Sequence, residues 1–248
     1  MDMTSEAIEK IKELATESLG EKRVIKVHDE DYQIDNNGDL SLIRPETNSR
    51  QTVKLSTLSG LVELIKNSQE RRDSKLFVQV VSPKHVEVIG ALDKYGRRES
   101  LITTKANVPD FYFDHYYDVE ELNIALQSRF VQTDDRDVVL KVIGNLKEEN
   151  VHSSEDDGVS QSVNIKSGVA SVDEVKVPNP VSMKPYRTFV EIDQPESKFI
   201  FRMQRGMQAA LFEADGGAWI NEAMNNIKDY LVKNLDDEIQ SGHVTVIA

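Results

Sequence analysis

The first fifty residues combine a helical pattern with short β-type patterns. Apolar side chains recur at three- and four-residue steps over residues 5–19, which predicts an amphipathic helix ending near Gly20. The run "VIKVH" predicts a strand, and "YQIDNNGDLSLI" predicts a hairpin because Asn37–Gly38 accepts the positive φ of a tight turn. Polar, turn-rich residues 44–51 predict a linker. Residues 1–50 are therefore expected to form an N-terminal helix and hairpin arm.

A denser apolar pattern follows the linker and is at first β-rich. Val53 and Leu55 fit the end of a strand, and Ser56 or Thr57 can cap the helix that comes next. The stretch "KLFVQVVSPKHVEVIGAL" predicts a hairpin, because two β-type runs flank a Ser–Pro–Lys connection. The stretch "ESLITTKA" predicts a third antiparallel strand.

Two helices are predicted in the middle of the chain. Asp118 and Glu121 have the spacing of a capping box, in which two polar side chains satisfy the first N–H groups of a helix. Thr133 can cap the second helix, and acidic residues occupy its first turn, where the helix dipole favours them. The pair predicts a helical hairpin.

Residues 147–185 predict an excursion from the body of the domain. Asp157–Gly158 indicates the turn of an exposed hairpin, and "VPNPVSMKP" then places three prolines within eight residues. Proline lacks an N–H group and is excluded from central strands. We therefore expect an extended crossing segment or an edge that reaches away from the core.

The C-terminal part returns to strands and ends with a helix. "RTFVEI", "KFIFRM" and "QAALFEA" predict three strands, "AWINEAMNNIKDYLVKNL" predicts a long helix, and "HVTVIA" predicts an edge strand. The order of elements predicts an α+β fold: a largely antiparallel sheet flanked by helices, with a protruding hairpin and an N-terminal helical arm. Residues 51–248 then form one core domain.

Acidic residues dominate the charge of the chain. The 43 Asp and Glu outnumber the 30 Lys and Arg, which gives a net charge of −13. A surface of this sign repels phosphate backbones and disfavours general nucleic-acid binding. It also suits a protein that mimics DNA toward a host protein. The pairs Arg71–Arg72 and Arg97–Arg98 are candidates for a local anion site.

The absence of cysteine excludes disulfides, Cys-ligated zinc and thiol nucleophiles. The N-terminal sequence "MDMTSEAIEKIKEL" is acidic where a signal peptide is basic and apolar, and no apolar run approaches the roughly 18 residues of a membrane span. We expect a cytoplasmic protein without membrane contact. We also expect no cofactor, because neither a Gly-rich phosphate loop nor a His-based zinc motif occurs.

The segment "FEADGGAWI" places two carboxylates at a strand end. Glu213 and Asp215 are two residues apart, so both side chains can point to one side of a strand and bind one divalent cation. The alternative is a turn, because Asp and a Gly–Gly pair are typical of tight turns and Asp215 can cap the helix that follows. We favour the turn, since the sequence offers no third metal ligand.

Five aromatic residues lie within seven positions. They are Phe111, Tyr112, Phe113, Tyr116 and Tyr117. Such a cluster can stack on bases or on a nucleotide ring, but it more often belongs to a core or a subunit interface. We favour a core or an interface.

Three segments of the chain, taken in this order, resemble segments of a known protein family. They are "VKLSTLSGLVELIK", "LFVQVVSPKHVEVIGAL" and "ALFEADGGAWINEAMNNIKDYL". Over residues 50–235 the chain resembles a family of uncharacterised proteins of tailed phages and prophages (YfdQ-like, a domain of unknown function). The resemblance implies a phage-encoded, non-structural protein made in the bacterial cytoplasm, and it implies no catalytic residues.

Three functional hypotheses follow. The first is a non-enzymatic phage accessory protein that forms homo-oligomers and binds a host or phage protein. The second is an inhibitor of host antiphage defence, acting by DNA mimicry or by sequestering a nucleotide signal near the arginine pairs. The third is a divalent-metal-dependent enzyme that uses Glu213 and Asp215.

Overall fold

A computed structural model describes residues 4–21, 24–35, 37–44, 49, 51–68, 74–144, 155–156, 161–167 and 171–248. Internal contacts divide the chain into two compact units, Met1–Asn48 and Ser49–Ala248. The linker predicted at residues 44–51 spans this boundary.

The described residues of the N-terminal unit form one helix and a three-stranded antiparallel meander. Its elements are α1 (Ser5–Glu21), β1 (Val24–Val27), β2 (Glu30–Ile34) and β3 (Leu40–Leu42). The β1–β2 connection has positive φ at His28 and Asp29, a turn that the sequence patterns did not predict. The β2–β3 connection is the predicted hairpin turn, in which the Asp35 carboxylate accepts the N–H groups of Asn37 and Asp39 at 2.8 and 2.9 Å.

The larger unit begins with the predicted strand–helix–hairpin block. Its elements are β4 (Val53–Leu55), α2 (Leu58–Asn67), β5 (Leu76–Ser82), β6 (His85–Gly90) and β7 (Ser100–Lys105). Thr57 caps α2, because its hydroxyl accepts the N–H of Gly60 at 3.2 Å. Both β5–β6 and β6–β7 are antiparallel, which confirms the predicted hairpin and third strand.

The middle of the chain contains the predicted helical hairpin and a second set of strands. Its elements are β8 (Tyr116–Asp118), α3 (Val119–Arg129), α4 (Asp134–Gly144), β9 (Glu155–Asp156), β10 (Gln161–Ser167), β11 (Ser171–Lys176) and β12 (Val181–Met183). The Asp118 carboxylate accepts the N–H of Glu120 at 2.9 Å, and the Thr133 hydroxyl accepts the N–H of Arg136 at 3.2 Å. Asp118 and Thr133 therefore cap their helices, although Asp118 accepts from Glu120 and not from Glu121 as the predicted capping box requires.

The last elements complete two separate sheets. They are β13 (Ser197–Gln204), β14 (Gln208–Glu213), α5 (Ala218–Asn234), α6 (Asp236–Gln240) and β15 (Val244–Ile247). One sheet has the order β15-β5-β6-β7-β4, with parallel outer pairs and antiparallel inner pairs. The other has the order β12-β13-β14-β8 and is antiparallel throughout. The α+β class predicted from the sequence is confirmed.

Each of these two sheets has its own core. Leu58 and Leu61 of α2 pack with Ile227 and Leu231 of α5 over Val78 of the five-stranded sheet. The helical hairpin covers the four-stranded sheet in the same way, and this second core includes Leu122, Leu126, Val142, Phe199 and Phe201. The apolar stripes identified in the sequence are therefore the faces that the helices bury against the sheets.

The Pro-rich part of the predicted excursion belongs to the core. Val177, Val181 and Met183 are buried, and β12 is the edge strand that pairs with β13. Proline is tolerated here because an edge strand has unpaired backbone positions. The expectation that this segment reaches away from the body is wrong, whereas the edge position is correct. The turn predicted at Asp157–Gly158 lies outside the described residues.

The strand predicted at "RTFVEI" does not form. The buried Gln194 side chain instead closes a compact turn, accepting the N–H of Arg187 at 2.9 Å and donating to the carbonyl of Phe189 at 3.0 Å. Phe189 is buried while Val190 is 69% exposed. A side-chain amide supplies the hydrogen bonds that a neighbouring strand would otherwise supply.

Within the described part of the chain, no helix has both the length and the apolar character needed to cross a membrane.

Candidate functional site

The carboxylate corner is a strand-to-helix turn. β14 ends at Glu213, and α5 begins after Gly216 and Gly217, whose φ angles are +62° and +80°. The Asp215 carboxylate accepts the N–H of Gly217 at 3.0 Å and so closes the turn. The residue at the helix N-cap is Gly217 and not Asp215. Glycine is required because an L side chain strains the left-handed backbone.

A buried arginine from another segment faces this corner. The Arg187 Nη1 atom donates to the Glu213 Oε1 atom at 2.6 Å, and its Nη2 atom donates to the hydroxyl of Ser197. Its guanidinium carbon lies 3.9 Å from the centre of the Trp219 ring. The Arg187 side chain is 8% exposed and that of Glu213 is 38% exposed. The ion pair thus joins the Gln194 turn to the start of α5.

Two opposing effects act on the pKa of Arg187 in this ion pair. Burial lowers the pKa of Arg187, because a low-dielectric environment penalises the charged form, while the negative charges of Glu213 and Asp215 raise that pKa. One polar atom on each side, Arg187 Nε and Asp215 Oδ2, is buried without a hydrogen-bond partner. The two carboxylates thus act as counterions of a buried cation.

The ion pair involves one of the two carboxylates of the predicted metal site. Glu213 is bound to Arg187, and a guanidinium supplies the positive charge near both carboxylates. Over the described ranges, no three His, Asp or Glu side chains are grouped to hold a metal ion. Sequence reasoning missed Arg187, because 26 residues separate it from Glu213 and no local pattern connects them.

The five rings of the aromatic cluster differ in their surroundings. Phe111 stacks on Tyr117 with ring centres 5.2 Å apart, and Phe113 stacks on the core residue Phe199 at 5.0 Å. Tyr116 contacts Phe212 edge-to-face. Tyr112 is 69% exposed. Three of the five rings, those of Phe111, Phe113 and Tyr117, pack against the core of the four-stranded sheet.

A cleft of about 320 Å³ lies beside the ion pair, and we call it the Arg187 cleft. Aromatic rings form much of its wall, including Tyr112, Tyr186 and Trp219. Lys84, in the β5–β6 turn, and Arg129, at the end of α3, add positive charge. The Arg129 Nη1 atom donates to the carbonyl of Asp110, which fixes that guanidinium at the wall. The cleft therefore combines ring surfaces with cations.

The arginine pairs predicted as an anion site are engaged where the structure describes them. Arg97 donates to the Asp93 carboxylate at 2.8 Å, and Arg98 donates to the carbonyl of Gly90 at 3.1 Å. The Arg98 guanidinium also lies over the ring of Phe77. Hydrogen bonds from the Arg97 backbone and side chain lower the pKa of Asp93. Arg71 and Arg72 lie outside the described residues.

The N-terminal unit carries two apolar faces, which we call the N-terminal apolar surface. On α1, Ile8, Ile11 and Leu14 are 44%, 54% and 54% exposed. Alternation along the strands and their register place six apolar residues on one face of the meander: Ile25, Val27, Tyr32, Ile34, Leu40 and Leu42. None of the described side chains of this unit is buried.

No protein-family model, curated protein or solved structure matches this chain.

Proposed function

We propose that the protein is a non-enzymatic, phage-encoded accessory protein of the bacterial cytoplasm that acts by self-association and by binding another protein. One observation carries the proposal: the N-terminal unit has apolar residues on a helix and on one sheet face, yet none of its described side chains is buried. The proposal extends the resemblance of residues 50–235 to proteins of tailed phages and prophages.

Exposed apolar surface of this kind favours association. A meander of three short strands needs a covered apolar face to be stable. Fully burying a Leu or Ile side chain stabilises by about 1.5–3 kcal/mol, so covering the exposed half of Leu14 or Ile11 contributes about 1 kcal/mol each. A second copy supplies the same surface around a two-fold axis, which makes each contact count twice.

The charge of the chain gives the association a recognisable salt dependence. Each copy carries a net charge of −13, so two copies repel each other at low ionic strength. Added salt screens this repulsion and leaves apolar contacts intact. We expect self-association to strengthen as salt rises. Association through opposite charges would weaken instead, so the sign of the salt effect tests the apolar mechanism.

Sedimentation velocity at micromolar concentration tests the proposal. We expect the wild-type protein to form a dimer or higher oligomer, and Leu14→Glu to raise the dissociation constant at least about tenfold, because it removes an apolar contact and buries a charge in each copy. Ile124→Glu is the matched control, since Ile124 is 60% exposed but lies on α3. A monomeric wild type, or equal effects of both variants, would refute self-association through this surface.

Capture from a host lysate tests the second part of the proposal. A specific partner must bind the purified protein and raise its melting temperature by mass action. A partner captured equally well by a scrambled acidic control protein of the same net charge would indicate charge attraction alone and would count against a specific interaction.

A further inference from the structure

We propose that the Arg187 cleft binds a planar, anionic ligand of mononucleotide size. The inference goes beyond self-association, because the cleft lies in the larger unit and shares no residue with the N-terminal apolar surface. It also places nucleotide binding away from the arginine pairs that the sequence suggested.

The size and lining of the cleft fit this class of ligand. Pockets for small molecules begin at about 300 Å³ and are lined mainly by aromatic and apolar side chains with a few polar groups. The Arg187 cleft measures about 320 Å³, near this lower bound, and therefore suits a single nucleotide better than a dinucleotide. Tyr112, which is 69% exposed, offers a ring surface on which a base can stack, whereas the Arg187 guanidinium covers one face of the Trp219 ring at 3.9 Å.

The charges at the wall favour an anion. Lys84, Arg129 and Arg187 face the cleft together with only two carboxylate residues, Asp110 and Glu213. Glu213 is paired with Arg187, so Lys84 and Arg129 are the cations best placed to meet a phosphate. A local excess of cations is unusual on a chain with a net charge of −13, because most of its surface repels anions.

Arg187 itself is occupied by protein partners. Its Nη1 atom donates to Glu213, its Nη2 atom donates to Ser197, and its Nε atom is buried without a hydrogen-bond partner. The cleft therefore offers ring surfaces and two further cations, Lys84 and Arg129, to one ligand.

Tryptophan fluorescence tests the proposal directly, because Trp219 is the only tryptophan in the sequence and lies at the cleft. The probes are AMP and GMP, with adenosine and inorganic phosphate as half-ligands. We expect saturable changes with AMP, GMP or both, with dissociation constants below about 1 mM, and at least about tenfold weaker binding of adenosine and of phosphate. The absence of a saturable change with both nucleotides would overturn the proposal, as would equal binding of a half-ligand.

Two exposed residues provide variants that leave the core intact. Lys84→Ala removes a cation and Tyr112→Ala removes a ring, and we expect each to weaken nucleotide binding about tenfold. Lys228→Ala, on the exposed side of α5, is the control and should bind as the wild type does. Unchanged affinity in both cleft variants would overturn the proposal. Leu14→Glu should retain nucleotide binding, so this test and the self-association test can fail separately.

Discussion

Replacing Glu213 by Gln is the most direct test of the ion pair at the wall of the Arg187 cleft. The substitution keeps the shape of the side chain and an oxygen acceptor for the Arg187 Nη1 atom, which now lies 2.6 Å from the carboxylate. It removes only the negative charge. The variant therefore asks how much that charge contributes to the stability of a guanidinium that is 8% exposed.

The expected cost follows from the geometry. Two unit charges about 4 Å apart interact by about 4 kcal/mol at an effective dielectric constant near 20. Glu213 is 38% exposed, so water screens part of this interaction, and Asp215 supplies a second negative charge. We expect Glu213→Gln to lower the free energy of unfolding by about 1–2 kcal/mol. In a chain of this size that corresponds to a melting temperature lower by about 2–8 °C.

Urea and thermal unfolding measure this change, with Glu222→Gln as the control because Glu222 is exposed on α5, the helix that follows the Glu213 corner. Arg187→Met then completes a double-mutant cycle, in which we expect a coupling energy of about 1–2 kcal/mol between the two positions. Two results would contradict this expectation: Glu213→Gln is as stable as the control, or it lowers the free energy of unfolding equally with and without Arg187. Either result would mean that the ion pair does not stabilise the protein.

Three further predictions concern turns, two of them at the site and one, at Asp93, in the connection between β6 and β7. Gln194→Ala should cost about 2–3 kcal/mol in urea unfolding, because it leaves buried backbone groups of the turn without partners. Gly217→Ala should cost about 1–2 kcal/mol, because Gly217 has a φ of +80° and an added Cβ would meet Ile220 only at an ordinary 3.7 Å, so the cost is backbone strain. Asp93→Asn should lose a stabilisation that depends on pH. The pKa of Asp93 is lowered in the folded protein, so its contribution is complete above the unfolded pKa of about 3.9 and is lost as the pH falls through the lower folded value.

Each of these predictions has a clear contrary outcome. A Gln194→Ala variant as stable as an exposed Gln240→Ala variant would mean that water replaces the amide. A stabilising Gly217→Ala would mean that the turn relaxes out of the left-handed region. The wild type and Asp93→Asn could also differ in melting temperature by a constant amount from neutral pH down to about pH 3. That result would mean that ionisation of the Asp93 carboxylate does not cause the difference.

The amino-acid sequence alone determined the elements whose signals are local. Thr57 and Asp118 cap their helices as predicted, and the antiparallel hairpin around Pro83 forms where β-type runs flank a turn. These features depend on side chains within a few residues of one another, so periodicity and capping rules are sufficient. The α+β class follows from the order of such elements.

Only the tertiary structure decided the features that join distant segments. Gln194 replaces a predicted strand by a turn, and the Pro-rich segment becomes a buried edge strand because β13 is available to pair with it. Arg187 and Glu213 form an ion pair at the wall of the cleft from positions 26 residues apart. No local pattern encodes that contact. It arises because burying a guanidinium requires a counterion and a hydrogen-bond partner, and folding brings both to the same place.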